Sequence, residues 1–593
     1  MSDKSLDDAT GYIFARVLDA LLREDVQQLT SRGRRVAAAS VGVEEAQDGG
    51  DWWHLEHLTA GELWIPVTAS TFMQRWCYRP GPVIGRPAGG SDYRVLADCD
   101  ALLQWLSSGL EASELAHYRH FATECREAAA QRLSCQGAQQ AYFRDCRDQA
   151  GEPETWAERF LHYDRLASYL DHPYYPTARA KSGFGVADLQ RYAPEFQPRF
   201  QLRWLAVPRA LYRAAQAAEP AWKPAFGQVG LCESLAADYR LVPVHPFLWD
   251  QGLTELLQGA GLDQQVIRAP GACLEVVPTL SVRSLMLVAQ PDTHIKLPLT
   301  IRTLGSRNIR TVKPSTIGDG QRVQDLLGAI ARQDDQLRQR LLLTDERQGA
   351  HVDGHSFLGY IQRLYPAEVS GGTLVSVAGL LAVTPAGCRV FEELSARFYQ
   401  GDVLAFLRCY LELTFAVHVT LWLRYGIALE SNQQNSMLLL DPAGGGMRLL
   451  LKDNDAPRIE RAFLAARWPD LYRHVEGLQD QRIWSQDPLA LGQMFTTITL
   501  QLNVAPLIEG LAELGHGDRR ALYGLVVQAL EDSLAALPTE DAGELRRLLL
   551  EDDDLYAKYL LTAGTLQSKT HSGAADINKF YGKSAPNFLR EAV

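Results

Sequence analysis

The sequence predicts an α+β protein that runs from helix to sheet and back to helix. Three textures carry that reading. Near the N-terminus Tyr12, Ile13, Val17, Leu21 and Leu22 recur at helical spacing, and residues 111–147 are rich in Ala, Glu, Gln and Arg. From about 265 to 315 the chain changes to short β-branched runs. From 402 to 425 helical periodicity returns through Leu404, Leu407, Leu411, Thr414, His418, Leu421 and Tyr425.

Taken in order, the first 170 or so residues read as mostly helical. Proline and glycine then punctuate 171-DHPYYPTARAKSGFG-185, a loop and domain edge. Strand-like runs follow at 266–267, 276–277, 281–288, 294–303, 309–312 and 372–383. After the 402–425 helix, 436–440 and 448–452 read as a β-hairpin joined by the Gly-rich turn 441–447, and helix dominates the last hundred residues. The chain has 593 residues, too many for one hydrophobic core, so three or four units are expected.

Composition excludes several classes. An apolar content of 46% with 22% charged residues is that of a globular chain. A net charge of −12 without a long basic block argues against nucleic acid as partner. Nine scattered cysteines with no C-x-x-C pair fit reduced cytosolic thiols. Asp3, Asp7 and Asp8 stand where a signal peptide needs a basic start, and no uncharged stretch serves as a membrane span. The expectation is a soluble, cytoplasmic protein. No phosphate loop, dinucleotide fingerprint, H-E-x-x-H or G-x-S-x-G is present.

Two constellations carry chemistry. Between 281 and 313 stand Arg283, Lys296, Arg302, Arg307, Arg310 and Lys313 against Asp292 alone. A solvated strand face is the plain alternative. However, Ser281/Arg283, His294/Lys296 and Thr303/Arg307 keep even separations, so strand geometry would turn each pair to one face. These are donors that cradle phosphate or carboxylate. In 430-ESNQQNSMLLLDPAGGGMRLLLKDNDAPR-458, a hairpin symmetric about Gly444 sets Asn435 opposite Asp453, with Glu430 a short loop away. Oxygen ligands converging there suit Mg²⁺, which takes one or two carboxylates plus substrate phosphates. A capped, hydrated hairpin end is the alternative. His172, His245 and His418 read first as structural histidines, and His351 and His355 flank a turn.

The motifs 172-HPYYPTARAKSG-183, 243-PVHP-246, 278-PTLSVRSL-285, 296-KLPLTIRTLGSR-307, 430-ESNQQN-435 and 452-KD-453 occur in the order seen in one family. The chain resembles the NRPS-independent siderophore (NIS) synthetases, the aerobactin-synthetase family. That resemblance implies a cupped hand: a helical N-terminal thumb (1–185), antiparallel-sheet fingers (186–390) and a mainly helical palm (391–593) containing the β-hairpin. It implies an ATP-dependent, AMP-forming ligase that adenylates citrate or a citrate-derived acid and condenses it with an amine or hydroxyl in iron acquisition. A homodimer would be its assembly.

Carried over by motif, Ser281, Arg283, Lys296, Thr303 and Arg307 would hold the ATP phosphates and substrate carboxylates, with His172, Arg179 and Lys181 contributing from the Pro/Gly loop. Arg283, Arg307 and Lys296 would be the charge donors of catalysis. Asn432, Gln434, Thr303 and Arg307 would meet the acid, while Glu430, Asn435 and Asp453 would hold Mg²⁺. The chain departs from the family pattern at Asn432, where a histidine is usual, at Tyr175 and Arg179 in the Pro-rich loop, and at Lys452, where an arginine is usual. A neutral amide at Asn432 carries no charge toward a carboxylate, so the identity of the acid stays open. A kinase-like phosphotransferase using Asn435, Asp453 and Lys296, and a non-catalytic citrate or ferric-chelate binder, are the alternatives.

Overall fold

The computed structural model describes every residue except 1–2, 42–48, 149–152, 443–445, 538–539, 568–579 and 591–593. The expected α+β class holds, with one large addition at the N-terminal end. After the helix Asp3–Arg23, residues 34–96 form a six-stranded antiparallel sheet rather than helices. Its central strand Gly61–Ala69 carries Leu63, Trp64, Ile65 and Val67, all buried, so sheet burial decides where helical periodicity is absent. The first helix covers this sheet with Ile13, Val17, Leu18 and Leu21, and the helix Ala112–Asp148 closes the same core through Phe121, Cys125 and Ala128.

The central sheet has nine antiparallel strands. Its middle runs Phe200–Pro208, Cys273–Pro278, Ser284–Leu287, Thr293–Lys296, Gly359–Leu364 and Gly349–Val352. The strands near the basic cluster are shorter than the sequence suggests. Residues 281–283 form a turn, and 297–312 is loop apart from bridges at Arg302 with Ser182 and Ile309. Even spacing therefore places Lys296 and His294 on a strand but does not govern Ser281/Arg283 or Thr303/Arg307.

Leu341–Leu343, Met447–Leu451, Ser436–Leu440 and Thr373–Ser376 make a four-stranded sheet in the C-terminal half. The hairpin exists, but its register is one residue from the symmetric one. Ser436 pairs with Leu451 and Lys452 N–H donates to Asn435 O (3.2 Å), so Lys452, not Asp453, lies opposite Asn435. The symmetry point Gly444 lies outside the described residues. A one-residue slip exchanges the two faces of a strand, which alters what the hairpin mouth presents.

The helix Val403–Tyr425 packs behind this sheet. Asp402 caps it by accepting from Ala405 N–H (2.8 Å), and Gly426 ends it at φ +67°. It is the one described helix long and apolar enough to cross a membrane, yet Phe406, Leu407, Tyr410, Leu411 and Phe415 are buried in the C-terminal core. A ten-residue π-helical stretch, Phe495–Val504, crosses that core with every residue buried.

Candidate functional site

A cavity of about 220 Å³ opens where three loops meet: the 171–181 segment, the 280–282 and 303–310 turns of the central sheet, and the 432–434 segment. Each loop is fixed from behind.

In the first loop, His172 Nδ1 accepts from the backbone N–H of Tyr174 (3.2 Å) and Tyr175 (3.1 Å), which leaves the ring proton on Nε2. Burial first, then Arg16, pushes its pKa down to about 3, so the imidazole is neutral. Arg179 spends its donors on Asp171 Oδ1 (2.9 Å), Ser168 O (2.6 Å), Glu195 Oε1 (3.0 Å) and Tyr169 O (3.0 Å). Lys181 pairs with the same Glu195 carboxylate. The two cations are thus compensated by two buried carboxylates. Their geometry is that of a rigid, neutral wall rather than of free phosphate ligands.

The second wall is strained. Val282, a β-branched residue, sits at φ +66° between Ser281 and Arg283. Ser281 Oγ accepts from Ser284 N–H (3.2 Å), and Asp164 Oδ2 accepts from Leu280 N–H (2.7 Å). Gly305, at φ +117°, approaches Gly564 O so closely that a Cβ would lie 2.9 Å from that oxygen. The contact turns Arg307 away from the cavity lining. Its Nη1 donates to Ala563 O (3.2 Å) and its N–H to Gly564 O (3.4 Å). Arg310 lines the cavity instead. It makes no hydrogen bond or ion pair through its side chain among the described residues, and burial lowers its guanidinium pKa.

In the third loop, Asn432 Oδ1 accepts from the N–H groups of Gln434 (3.0 Å) and Asn435 (3.2 Å). Asn503, in the π-helical stretch, donates to Ser431 O (3.0 Å) and Ser436 Oγ (3.1 Å) and accepts from Tyr410 OH (2.9 Å). Tyr174 OH reaches Gln501 O (2.8 Å), so the same stretch also anchors the first loop.

Beside the cavity lies a dense ion cluster. Asp453, at φ +55° beyond the hairpin, swings its Oδ1 to 2.6 Å from both Lys296 Nζ and Arg363 Nη2. Its carboxyl is held well below the usual range because these cations outweigh burial. Arg363 Nε also donates to Glu346 Oε1 (2.8 Å), which accepts from Asp453 N–H (2.9 Å). Arg283 donates to Thr311 O. Burial, and then Arg310, pushes its pKa down to about 9, while Asp453 opposes that shift. Lys452 is buried and lowered to about 8 by desolvation and Arg363. Arg310 joins the two regions, since it faces the cavity and feels Asp453.

The expected metal ligands are brought together only in part. Asn435 Nδ2 donates to the Glu430 backbone carbonyl (2.9 Å), which turns its amide toward residue 430. Asp455, which the sequence reading passed over, lies beside Asp453. Its carboxyl is raised by burial, Asp453 and Glu346, and it accepts no hydrogen bond among the described residues. Two adjacent hard carboxylates, one lacking a donor, suit a Mg²⁺ ion that draws its remaining ligands from phosphate and water. The one described group of three potential ligands, His54, Glu56 and Glu62, belongs to the N-terminal sheet and does not line the cavity, and its glutamates are paired with Arg34 and Arg86.

Arg310 gives the cavity an uncompensated positive charge, and no nucleophile is positioned there among the described residues, an arrangement that can bind anions and leave bond formation to the bound partners. Residues 159–382 match the IucA / IucC family. Residues 404–572 match a second family, the ferric iron reductase FhuF-like transporter.

Staphyloferrin B synthase of Staphylococcus aureus is 22% identical over 450 residues, 72% of this chain and 76% of its own length. The citryl-spermidine/3,4-dihydroxybenzoyl-citryl-spermidine:spermidine ligase of Bacillus anthracis is 24% identical, over 63% of this chain and 66% of its own. Aerobactin synthase of Escherichia coli is 30% identical over 156 residues, 24% of this chain and 27% of its own. The petrobactin biosynthesis protein AsbB of B. anthracis superposes with TM-score 0.75 at 18% identity, covering 100% of this chain and 96% of its own. ATP-bound aerobactin synthetase IucA of Klebsiella pneumoniae gives 0.68 at 17%, covering 97% and 99%.

Proposed function

We propose that the protein is an ATP-dependent siderophore synthetase. It adenylates citrate or a citrate-derived acid, condenses the acyl group with an amine or hydroxyl, and releases AMP and pyrophosphate. The observation that carries this reading is the convergence of Arg283, Lys296, Arg310, Arg363 and Lys452 at Asp453, beside a cavity lined by Ser281, Thr303, Asn432 and Gln434. Relatives named as synthases and ligases of citrate conjugates, and a fold neighbour solved with ATP, support it.

In the first step a carboxylate oxygen attacks the α-phosphorus and pyrophosphate leaves. Both reactants are anions, so clustered cations lower their repulsion and stabilise the charge of the transition state. Arg283, Lys296 and Arg310 take that role, while Ser281 and Thr303 position oxygens of the phosphates or of the acid. His172, Arg179 and Lys181 hold the wall against which the substrates lie. Arg307 acts through the 303–307 loop it anchors. Asn432 and Gln434 offer amides to the acid. In the second step the amine or hydroxyl attacks the acyl carbon, AMP leaves and the nucleophile loses its proton. Asp453 and Asp455, with Glu430 and Asn435 at the hairpin mouth, would hold Mg²⁺, which supplies charge neutralisation at the phosphates when bound. We further assign a homodimer as the working assembly, which light scattering of the purified protein tests.

Incubation with citrate, ATP and a panel of diamines and amino acids tests the reading through the nucleotide product. AMP and pyrophosphate are expected. ADP would instead establish a phosphotransferase. Citrate binding without nucleotide turnover under every amine would establish a binding protein.

A further inference from the structure

A second and larger cavity, about 570 Å³, lies on the other side of the 172–174 segment from the adenylation pocket, and Pro173 lines both. None of the roles assigned above uses it. Its size lies within the usual range for small-molecule sites. Its charges come from three elements. Arg16, Asp19 and Arg23 lie on the first helix, Glu509 and Glu513 project from one turn of the helix Ala505–Glu513, and Arg519 opens the next helix.

The arginines are bound to the loop, not to carboxylates. Arg16 Nη2 donates to His172 O (2.6 Å) and Tyr175 O (2.8 Å), and its Nε to Pro176 O (3.2 Å); Arg23 Nη2 donates to Tyr174 O (2.9 Å). Asp19, between them, accepts from Tyr78 N–H (2.7 Å) and Gln74 Nε2 (3.1 Å); burial raises its pKa while Arg23 and Arg16 oppose that shift without an ion-pair contact. Glu509 accepts from Arg519 (2.8 Å) and Tyr523 (2.7 Å). Glu513 has no hydrogen bond or ion pair among the described residues. Among the described residues the cavity therefore offers two guanidinium groups that no carboxylate contacts within ion-pair distance and, on another element, a carboxylate without an ion-pair partner.

We propose that this cavity is a second small-molecule site for a zwitterionic ligand of the amino-acid class, with the carboxylate at Arg16 and Arg23 and an ammonium group at Glu513. Occupancy is transmitted to the adenylation pocket. A carboxylate that draws on Arg16 and Arg23 competes with the carbonyls of His172, Tyr174, Tyr175 and Pro176, and this loop forms a wall of the other pocket. Coupling of that kind is reciprocal between the two ligands. The site itself stands apart from the adenylation reading; only its coupling rests on it.

Calorimetry on the full chain with L-lysine as probe tests the site, with cadaverine and hexanoate as partners that each keep one charge type. Lysine is expected to bind at one site, with cadaverine and hexanoate each at least about tenfold weaker. Glu513→Gln, a change on an exposed side chain, should weaken lysine about fivefold or more without lowering the melting temperature. Saturating lysine should shift the Kd of a non-hydrolysable ATP analogue about threefold or more. No lysine binding at about 10 mM, or equal affinity in the Glu513→Gln variant, overturns the site. An unshifted nucleotide affinity overturns the coupling. Absence of AMP formation alongside normal lysine binding would sink the adenylation reading and leave the site standing.

Discussion

Replacing Arg310 and Arg179 separately by alanine should divide function from stability. Arg310 lines the cavity with no hydrogen bond or ion pair for its guanidinium among the described residues, and its charge helps to depress Arg283. Its removal breaks no internal ion pair and relieves a repulsion between cations, so the folded state should lose nothing measurable. Adenylation should fall by about 10²- to 10³-fold, or ~2.7–4 kcal/mol, the scale of removing one preorganised charge donor. Arg179 is the opposite case: it is 4% exposed, bridges Asp171 and Glu195, and donates to two carbonyls. Its loss leaves buried carboxylates uncompensated, at a cost of about 3–5 kcal/mol. ATP–pyrophosphate exchange and thermal unfolding, measured on both variants, separate the two. Arg310→Lys should recover part of the exchange, because a point charge replaces the fork. An Arg310→Ala enzyme that exchanges pyrophosphate within about threefold of the parent, or that melts as early as Arg179→Ala, would refute the reasoning.

Asp453→Asn should shift the magnesium titration of activity to higher concentration and lower the melting temperature, since Lys296 and Arg363 lose their shared carboxylate; an unchanged titration counts against the metal assignment. Asn432→Asp keeps the acceptor that holds Gln434 and Asn435 N–H but adds negative charge at the cavity. The KM for the acid should rise about tenfold, ~1.4 kcal/mol, with the fold intact by circular dichroism. Glu124 is buried, accepts from Tyr175 OH and Thr177 OH, and is pushed up to about 7 chiefly by desolvation. A carboxyl raised in the folded state from 4.5 contributes stability fully present below pH 4.5 and lost as pH climbs through 7. Glu124→Gln should therefore match the parent at pH 4.5 and exceed it at pH 8 by up to about 3 kcal/mol in denaturant unfolding; parallel pH curves would show the carboxyl is unperturbed.

Sequence patterns reveal periodic elements well and close approaches poorly. The Asp402-capped helix and the two hairpin strands are legible because apolar residues run along them between clear turn signals. The N-terminal sheet was legible in principle. Its strand Gly61–Ala69 reads LWIPV after a glycine, a β-like run masked by the helical stretches on either side. The hairpin register was not legible, because register is set jointly by the turn and by the packing of both faces, and only the turn composition shows in the chain. The π-helical stretch gives no local signal either. Thr496, Thr497 and Thr499 would suit a strand, and the bonds that hold its course are long-range: Asn503 to Ser431, 72 residues away, and Gln501 to Tyr174 and Tyr556.

Arg307 and Arg310 make the same point within the site. Both belong to one basic run, and even spacing favours Arg307. Its direction is decided by Gly305, whose missing Cβ lets residues 563–564 pack onto the loop and offer carbonyls to Arg307. Arg310, past that contact, keeps its charge for the cavity. The cations of this region therefore sort by partner. Arg179 and Lys181 are neutralised by buried carboxylates and stiffen a wall, and Arg363 and Lys296 share Asp453 and fix its direction. Only a cation without a protein counter-charge gains its full stabilisation from a bound anion. Desolvating such a charge costs stability in the empty enzyme, and the anionic transition state recovers that cost when it forms. A basic run read from sequence counts charges. The catalytic share of each depends on how little of it the fold has already spent.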